Sequence, residues 1–76
     1  MFTYPVSQVA DALCFLNVCA MLESSLPGLE KGPLIADEGG MFQHYTLYGK
    51  AVTVNNDCGK DAVFVESELD LSHIFN

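Results

Sequence analysis

Apolar residues dominate one stretch near the N-terminus of the chain. Between residues 10 and 22, only Asp11 and Asn17 interrupt a run of hydrophobic side chains. The run is shorter than the roughly 20 apolar residues that a membrane-spanning helix needs. No Lys or Arg precedes it, so it does not resemble a signal peptide. We therefore interpret the run as part of a soluble helix and predict no membrane partner.

The predicted helix extends over residues 6–24. Pro5 suits its first turn, where a missing N–H costs nothing, and Pro27 followed by Gly28 ends it. A helical period divides the apolar residues of this segment between two stripes on opposite sides. The stripe that we predict to face the core consists of Val6, Val9, Leu13, Leu16 and Ala20.

The second stripe consists of Phe15, Val18 and Leu22, on the side of the helix that begins with polar residues. An ordinary surface helix stays polar on that side, so these three residues need a cover. One cover is a second subunit, which makes the stripe an oligomer interface and the chain a homodimer. The other is the C-terminal segment of the same chain, with the apolar residues Leu71, Ile74 and Phe75.

From residue 33 onward the hydrophobic period changes from that of a helix to that of a strand. Four strands are predicted, at residues 34–38, 41–48, 51–55 and 61–66. The pairs Gly39-Gly40 and Gly49-Lys50 indicate two-residue hairpin turns, because glycine adopts positive φ readily. The predicted fold is α+β, with one long N-terminal helix packed on a four-stranded antiparallel β-meander in a single domain over residues 1–76.

The two turns also determine which strand residues share a face of the sheet. Residues that lie opposite each other in an antiparallel ladder point to the same side. The face predicted to lie under the helix carries Leu34, Ala36, Tyr45, Leu47, Val52, Val54, Val63 and Val65. The other face carries Ile35, Asp37, Phe42, His44, Thr46, Tyr48, Thr53, Phe64 and Glu66.

Charge and cysteine content narrow the function classes. Ten acidic residues against three lysines give a net charge of −7. Direct binding to nucleic acid is excluded on this ground, because it needs clustered cations. An acidic surface favours a basic partner, or it serves solubility alone. Cys14 and Cys19 lie on one helix and cannot easily pair, so we predict free thiols and a cytoplasmic location.

Candidate chemistry is sparse along the chain. His44, Tyr48 and Cys58 are the side chains best suited to catalysis, but no nucleophile, base and orienting group can be assembled from them. The turn from Asn55 to Asp61 has some of the spacing of a calcium loop, but it lacks the glycine that such a loop needs. We predict that the chain is not an enzyme and holds no metal or cofactor.

The functional prediction is a non-enzymatic acidic protein-binding module that blocks a basic nucleic-acid-binding surface of a partner. Its predicted partner-binding residues are Asp37, Phe42, His44, Tyr48, Phe64 and Glu66. In size and charge the chain is similar to the small phage-encoded inhibitors of host defence, the anti-CRISPR and anti-restriction proteins. That similarity implies an inhibitor that imitates nucleic-acid phosphates, and it assigns no residue. The alternatives are a homo-oligomerising structural or adaptor subunit, and a small enzyme or ligand-binding subunit.

Overall fold

A five-stranded antiparallel sheet is the largest element of the chain, as seen in a computed structural model that describes residues 1–75. The elements follow in the order β1 (Phe2–Ser7), α1 (Ala12–Ser25), β2 (Glu30–Asp37), β3 (Gly40–Leu47), β4 (Lys50–Asp57), β5 (Ala62–Ser67) and α2 (Ser72–Phe75). The strands lie side by side as β1-β5-β4-β3-β2. The α+β class with an antiparallel sheet is confirmed, whereas the long helix over residues 6–24 and the four-stranded meander are wrong.

Strand β1 was not predicted, and its last two residues, Val6 and Ser7, were assigned to the helix over residues 6–24. It pairs antiparallel with β5, and Pro5 lies opposite Phe64 in the register. Because β1 is at the edge of the sheet, Pro5 does not remove a hydrogen bond that a central strand would need. The proline that we interpreted as the first turn of a helix is therefore an edge-strand proline.

Asp11 sets the true start of the helix. Its Oδ1 accepts hydrogen bonds from the backbone N–H groups of Leu13 at 2.9 Å and Cys14 at 3.2 Å. These two donors have no partner within the helix, and a capping aspartate satisfies them. The residue that seemed to interrupt an apolar helix is thus its N-cap, and α1 ends at Ser25, just before Pro27.

The two faces of α1 are the reverse of the prediction. Phe15, Val18 and Leu22 are buried together with Cys19, whereas Leu13 is 67% exposed. Once residues 6–11 are removed from the helix, the remaining apolar residues at spacings of three and four form the stripe that faces the sheet. The prediction failed because Val6 and Val9, which lie outside the helix, were counted toward its core face.

The residues predicted to face the helix on β3, β4 and β5 do so. The six are buried, and they form one core cluster with Phe15 and Leu22; they are Tyr45, Leu47, Val52, Val54, Val63 and Val65. The pairing differs from the prediction by two residues, since Leu47 lies opposite Lys50 and the turn consists of Tyr48 and Gly49. A shift of two residues leaves every side chain on its predicted face.

Strand β2 departs from the prediction in its burial. Leu34 and Ala36 were expected under the helix, but every residue of β2 is exposed. The strand lies at the edge of the sheet opposite β1, whereas α1 packs over β4 nearer the centre. A single helix of 14 residues leaves this edge uncovered.

The C-terminal segment covers part of the same core. Leu71 is 1% exposed, and Ile74 and Phe75 pack against the core cluster. The ring of Phe75 stacks on that of Tyr4 with centroids 5.1 Å apart. The sheet and this segment together therefore bury the stripe of Phe15, Val18 and Leu22 within one chain.

The helices of residues 1–75 include none that is long and apolar enough to cross a membrane.

Two leucines of α1 provide a matched test of the observed helix faces. Leu22→Ala should lower the free energy of unfolding by about 2–5 kcal/mol, because truncating a fully buried leucine leaves a cavity. Leu13→Ala should change it by only about 0.5 kcal/mol, since that side chain is largely in water. Urea unfolding followed by circular dichroism measures both values, and a larger loss for Leu13→Ala would contradict the orientation of α1.

Candidate partner-binding surface

Within residues 1–75, no helix packs on one face of the sheet. Both helices lie on the other side, where the core cluster includes residues of α1, and Ile74 and Phe75 of α2 pack against it. We call the uncovered side the open face. Its middle is a row that crosses all five strands, and each member is the register partner of the next; we call Pro5, Phe64, Asn55, Phe42 and Ile35 the central row.

A second, polar row lies next to the central row. Thr53 is the register partner of both His44 and Glu66, so the three residues lie side by side on β3, β4 and β5. Nδ1 of His44 and Oγ1 of Thr53 are 3.2 Å apart, within hydrogen-bonding distance. The open face thus combines apolar rings with fixed polar groups, a mixture that is typical of protein interfaces.

Asn55 lies at the centre of the open face and is only 6% exposed. Its Nδ2 donates to the carbonyl oxygens of Thr53 and Phe64 at 3.3 and 3.4 Å and to Oε1 of Glu66 at 3.4 Å. Nδ2 shares its two hydrogens among these three acceptors. The Glu66 carboxylate therefore lies within hydrogen-bonding distance of the Asn55 amide.

The ammonium group of Lys60 contacts an aromatic ring on the open face. Nζ of Lys60, in the turn between β4 and β5, lies 5.1 Å from the centroid of the Phe64 ring. This is within the distance of about 6 Å at which a ring attracts a cation. The ring face of Phe64 can therefore receive positive charge.

Four of the six predicted partner-binding residues come together on the open face. Phe42 and Phe64 belong to the central row, and His44 and Glu66 belong to the polar row. Asp37 lies at the end of β2, where its Oδ1 accepts a hydrogen bond of 2.7 Å from the backbone N–H of Gly39. It sits at the rim of the face and holds the β2–β3 turn.

Tyr48 does not join them. It occupies the turn between β3 and β4 with a positive φ of 53°, and its side chain is 78% exposed. Its hydroxyl is 3.5 Å from the carbonyl oxygen of Pro27, in the loop that follows α1. Tyr48 therefore lies outside the group formed by the other predicted residues, because the turn begins one residue earlier than expected.

Most of the acidic residues have a structural task. Six of the ten accept a hydrogen bond from a backbone N–H group at a turn, a loop or a helix terminus; they are Asp11, Asp37, Asp57, Asp61, Glu68 and Asp70. Within residues 1–75 the only ion pair joins Glu23 to Lys31 at 3.5 Å. The negative charge is thus largely uncompensated, even though many of the carboxylates are needed by the fold.

The predicted oligomer interface lies inside the chain, while the opposite side of α1 is open. Leu13 and Leu16 are 67% and 55% exposed. We call these two residues the outer helix stripe. A groove of about 590 Å³ runs alongside, between α1, β1 and α2, and Ile74 and Phe75 form part of its wall.

The three side chains considered for catalysis are far apart. His44 is in the middle of β3, Tyr48 follows its C-terminal end, and the backbone N–H of Cys58 bonds to Gly39 just before its N-terminal end. Tyr48 and Cys58 are thus separated by roughly the 25 Å length of an eight-residue strand. Within residues 1–75, no group of three or more His, Cys, Asp or Glu could hold a metal ion.

Tyr45 links the core to the protein surface. Its hydroxyl donates a hydrogen bond of 2.7 Å to Oε2 of Glu23, although the ring is 2% exposed. Burial raises the pKa of Tyr45 above its ordinary value, and burial likewise raises that of the Cys19 thiol. The hydrogen bond from Tyr45 has the opposite effect on its acceptor and lowers the pKa of Glu23 below 4.5.

This hydrogen bond predicts a specific pH dependence. Because the pKa of Glu23 is lowered in the folded state, its contribution to stability is present above pH 4.5 and is lost as the pH falls through the folded-state pKa. Tyr45→Phe should raise the pKa of Glu23 toward 4.5, measured from the carboxyl ¹³C shift. Asp70 is the internal control, since bonds to Ser72 chiefly lower its pKa, and an equal change at both groups would contradict this assignment.

The sequence prediction missed two residues of the open face. Asn55 was assigned to a strand end, and Lys60 was assigned to the turn that follows it. The turn-rich segment after Asn55 masked the fact that β4 continues to Asp57. An alternating pattern extended through Asn55 would have placed it between Phe42 and Phe64.

No protein-family model, curated protein or solved structure matches this chain.

Proposed function

We propose that this chain is a non-enzymatic protein-binding module whose open face contacts a basic partner, and that it acts by blocking a nucleic-acid-binding surface of that partner. The observation that carries the proposal is the central row, which crosses all five strands and has no helix of its own chain over it. Phe42 and Phe64 are half-buried there and remain accessible from one side. Aromatic anchors of this kind supply much of the energy of protein interfaces.

Charge supports the choice of a basic partner. The chain carries a net charge of −7, and Glu66 lies on the open face with no ion-pair partner among residues 1–75. An uncompensated negative field attracts a positively charged surface and increases the rate of association. A surface that binds nucleic acid has the required excess of Lys and Arg.

Affinity purification tests this proposal. The wild-type chain, used as bait at low salt, should retain a basic, nucleic-acid-binding protein in stoichiometric amount, and high salt should release it because the charges are screened. Adding the chain to the recovered partner should also displace its nucleic acid. Retention that does not depend on salt, or a ternary complex with nucleic acid, would contradict the proposal.

Two bait variants make that test specific to the open face. Phe64→Ala should weaken retention, because it removes a central aromatic ring from the proposed interface. Leu13→Ala is the control, since it removes an exposed apolar side chain from the opposite side of the molecule. Equal retention by the two variants would exclude the open face as the binding surface.

The outer helix stripe favours a second candidate function, that of a homo-oligomerising subunit. Leu13 and Leu16 expose more than half of their surface on one side of a 14-residue helix. No charged residue lies between Leu13 and Leu16 on α1. Two copies of the chain can therefore bring these leucines together without repulsion between like charges at the contact. Apolar contacts of this kind are typical of homodimers.

Sedimentation velocity over a range of concentrations tests the second candidate. The wild type should form a dimer that Leu16→Glu abolishes, because the substitution places a charge in an apolar contact. Leu34→Glu, at a similarly exposed leucine on β2, should leave the dimer intact. A wild type that stays monomeric throughout would remove this candidate.

A further inference from the structure

We propose that the centre of the open face is a binding position for one arginine side chain of the partner, held between the rings of Phe42 and Phe64 and hydrogen-bonded to Asn55 and Glu66. The inference rests on the proposed function and makes it more specific, because it names the side chain that enters the surface and the atoms that receive it. It is carried by three observations: an acceptor without a donor, a carboxylate without an ion pair, and two aromatic residues in register on the strands that flank the acceptor.

The first observation is the amide oxygen of Asn55. All the side-chain hydrogen bonds of this residue involve Nδ2, and Oδ1 accepts none from residues 1–75. In the same part of the chain, every side-chain nitrogen or oxygen sealed from solvent has a hydrogen-bond partner. Oδ1 is therefore not completely sealed from solvent, although the residue as a whole is 94% buried. A nearly buried acceptor that lacks a donor fits a ligand that donates.

The second observation is the carboxylate of Glu66. It is held by Asn55 Nδ2 at 3.4 Å through Oε1 and forms no ion pair within the described residues. The oxygen atoms of Asn55 and Glu66 thus belong to two neighbouring groups that are already bonded to each other. A donor with several N–H groups can reach both, and a positive charge on that donor compensates the carboxylate.

The third observation is the register of two aromatic residues. Phe42 and Phe64 lie on β3 and β5, in register with Asn55 on the strand between them. Neighbouring strands are about 4.8 Å apart, so the backbones that carry the two rings each lie roughly 5 Å from that of Asn55. This strand spacing allows a cation above Asn55 to come within the limit of about 6 Å for attraction between a cation and a ring. The contact of Lys60 with Phe64 shows that one of these rings already receives a cation.

The geometry favours arginine over lysine. A guanidinium group is planar, carries five N–H donors in a fixed fork, and stacks against aromatic rings. It can satisfy Oδ1 of Asn55 and the Glu66 carboxylate at once while its faces contact Phe42 and Phe64. An ammonium group is a compact, strongly hydrated charge and matches this arrangement of acceptors and rings less well.

The test uses N-acetyl-arginine amide as a probe, titrated into the full-length labelled protein and followed by NMR. We expect the largest shift changes at the Asn55 side-chain amide and at the ring protons of Phe42 and Phe64. N-acetyl-lysine amide should bind more weakly at the same position. Shift changes that are spread over all acidic residues, or equal affinity for the two probes, would overturn the proposal.

Matched variants test the role of each group. Glu66→Gln should weaken binding of the arginine probe by about three- to ten-fold, the effect of a partly exposed charge-assisted hydrogen bond. Glu38→Gln removes the same charge from the exposed β2–β3 turn and should have little effect. Phe42→Leu, which keeps an apolar side chain, should also weaken binding. Equal effects of the two glutamine substitutions would overturn the assignment of Glu66.

Lys60 provides a test in the opposite direction. Its ammonium group occupies the Phe64 ring that the probe would use, so Lys60→Met should strengthen binding of the arginine probe. Weaker binding by this variant would contradict the proposed site.

If the probe binds as expected but no basic protein is retained, the proposed function fails and the arginine position stands. If a basic protein binds through the open face but the probe does not, only the arginine position fails.

Discussion

The packing of one side of α1 onto the sheet is the interaction on which the rest of the structure depends. Phe15 and Leu22 are at most 1% exposed, and they contribute to one core cluster with completely buried valines of β4 and β5. The two helices pack on one side of a five-stranded sheet, so neither of the helices in the described part of the chain covers the other side. That side can remain stable in water because its phenylalanines are separated by Asn55 and flanked by a polar row. The open face thus exists because the two short helices can cover only one side of a five-stranded sheet.

Most of the carboxylates stabilise the fold through hydrogen bonds to backbone N–H groups. Asp61 accepts a hydrogen bond of 2.8 Å from the backbone N–H of Ala10, and Asn56 accepts one of 3.0 Å from that of Asp11, so the β4–β5 region fixes the start of the helix. An acidic composition is therefore explained in part without any reference to binding. Glu66 differs because its position is on the open face, where its bond to Asn55 serves neither a turn nor a cap. The total charge can accelerate encounter with any basic surface, but only groups placed like Glu66 can select an orientation.

Local patterns predicted the sheet better than they predicted the helix. Alternation identified the buried residues of β3, β4 and β5, and an error of two residues in the register did not move any of them to the other face. The helix prediction failed because Pro5 and Asp11 each have two meanings: a proline can begin a helix or lie in an edge strand, and an aspartate can interrupt an apolar run or cap it. Only the pairing of β1 with β5 decides between them, and that pairing joins the two ends of the chain. Four of the six predicted site residues share the open face for the same reason of alternation, whereas the burial of Asn55 depends on neighbours from two other strands.

The open face and the outer helix stripe lie on opposite sides of the molecule, so occupation of one does not obstruct the other. A dimer formed through Leu13 and Leu16 would place its two open faces on the outside, each with its own Phe42 and Phe64. Two weak sites joined in this way bind a partner with repeated basic surfaces far more tightly than one site does, because the second contact forms at high effective concentration. A dimer through the helix and the proposed partner contact at the open face are therefore compatible with each other. A small chain that buries a modest interface at each site can reach useful affinity by pairing them.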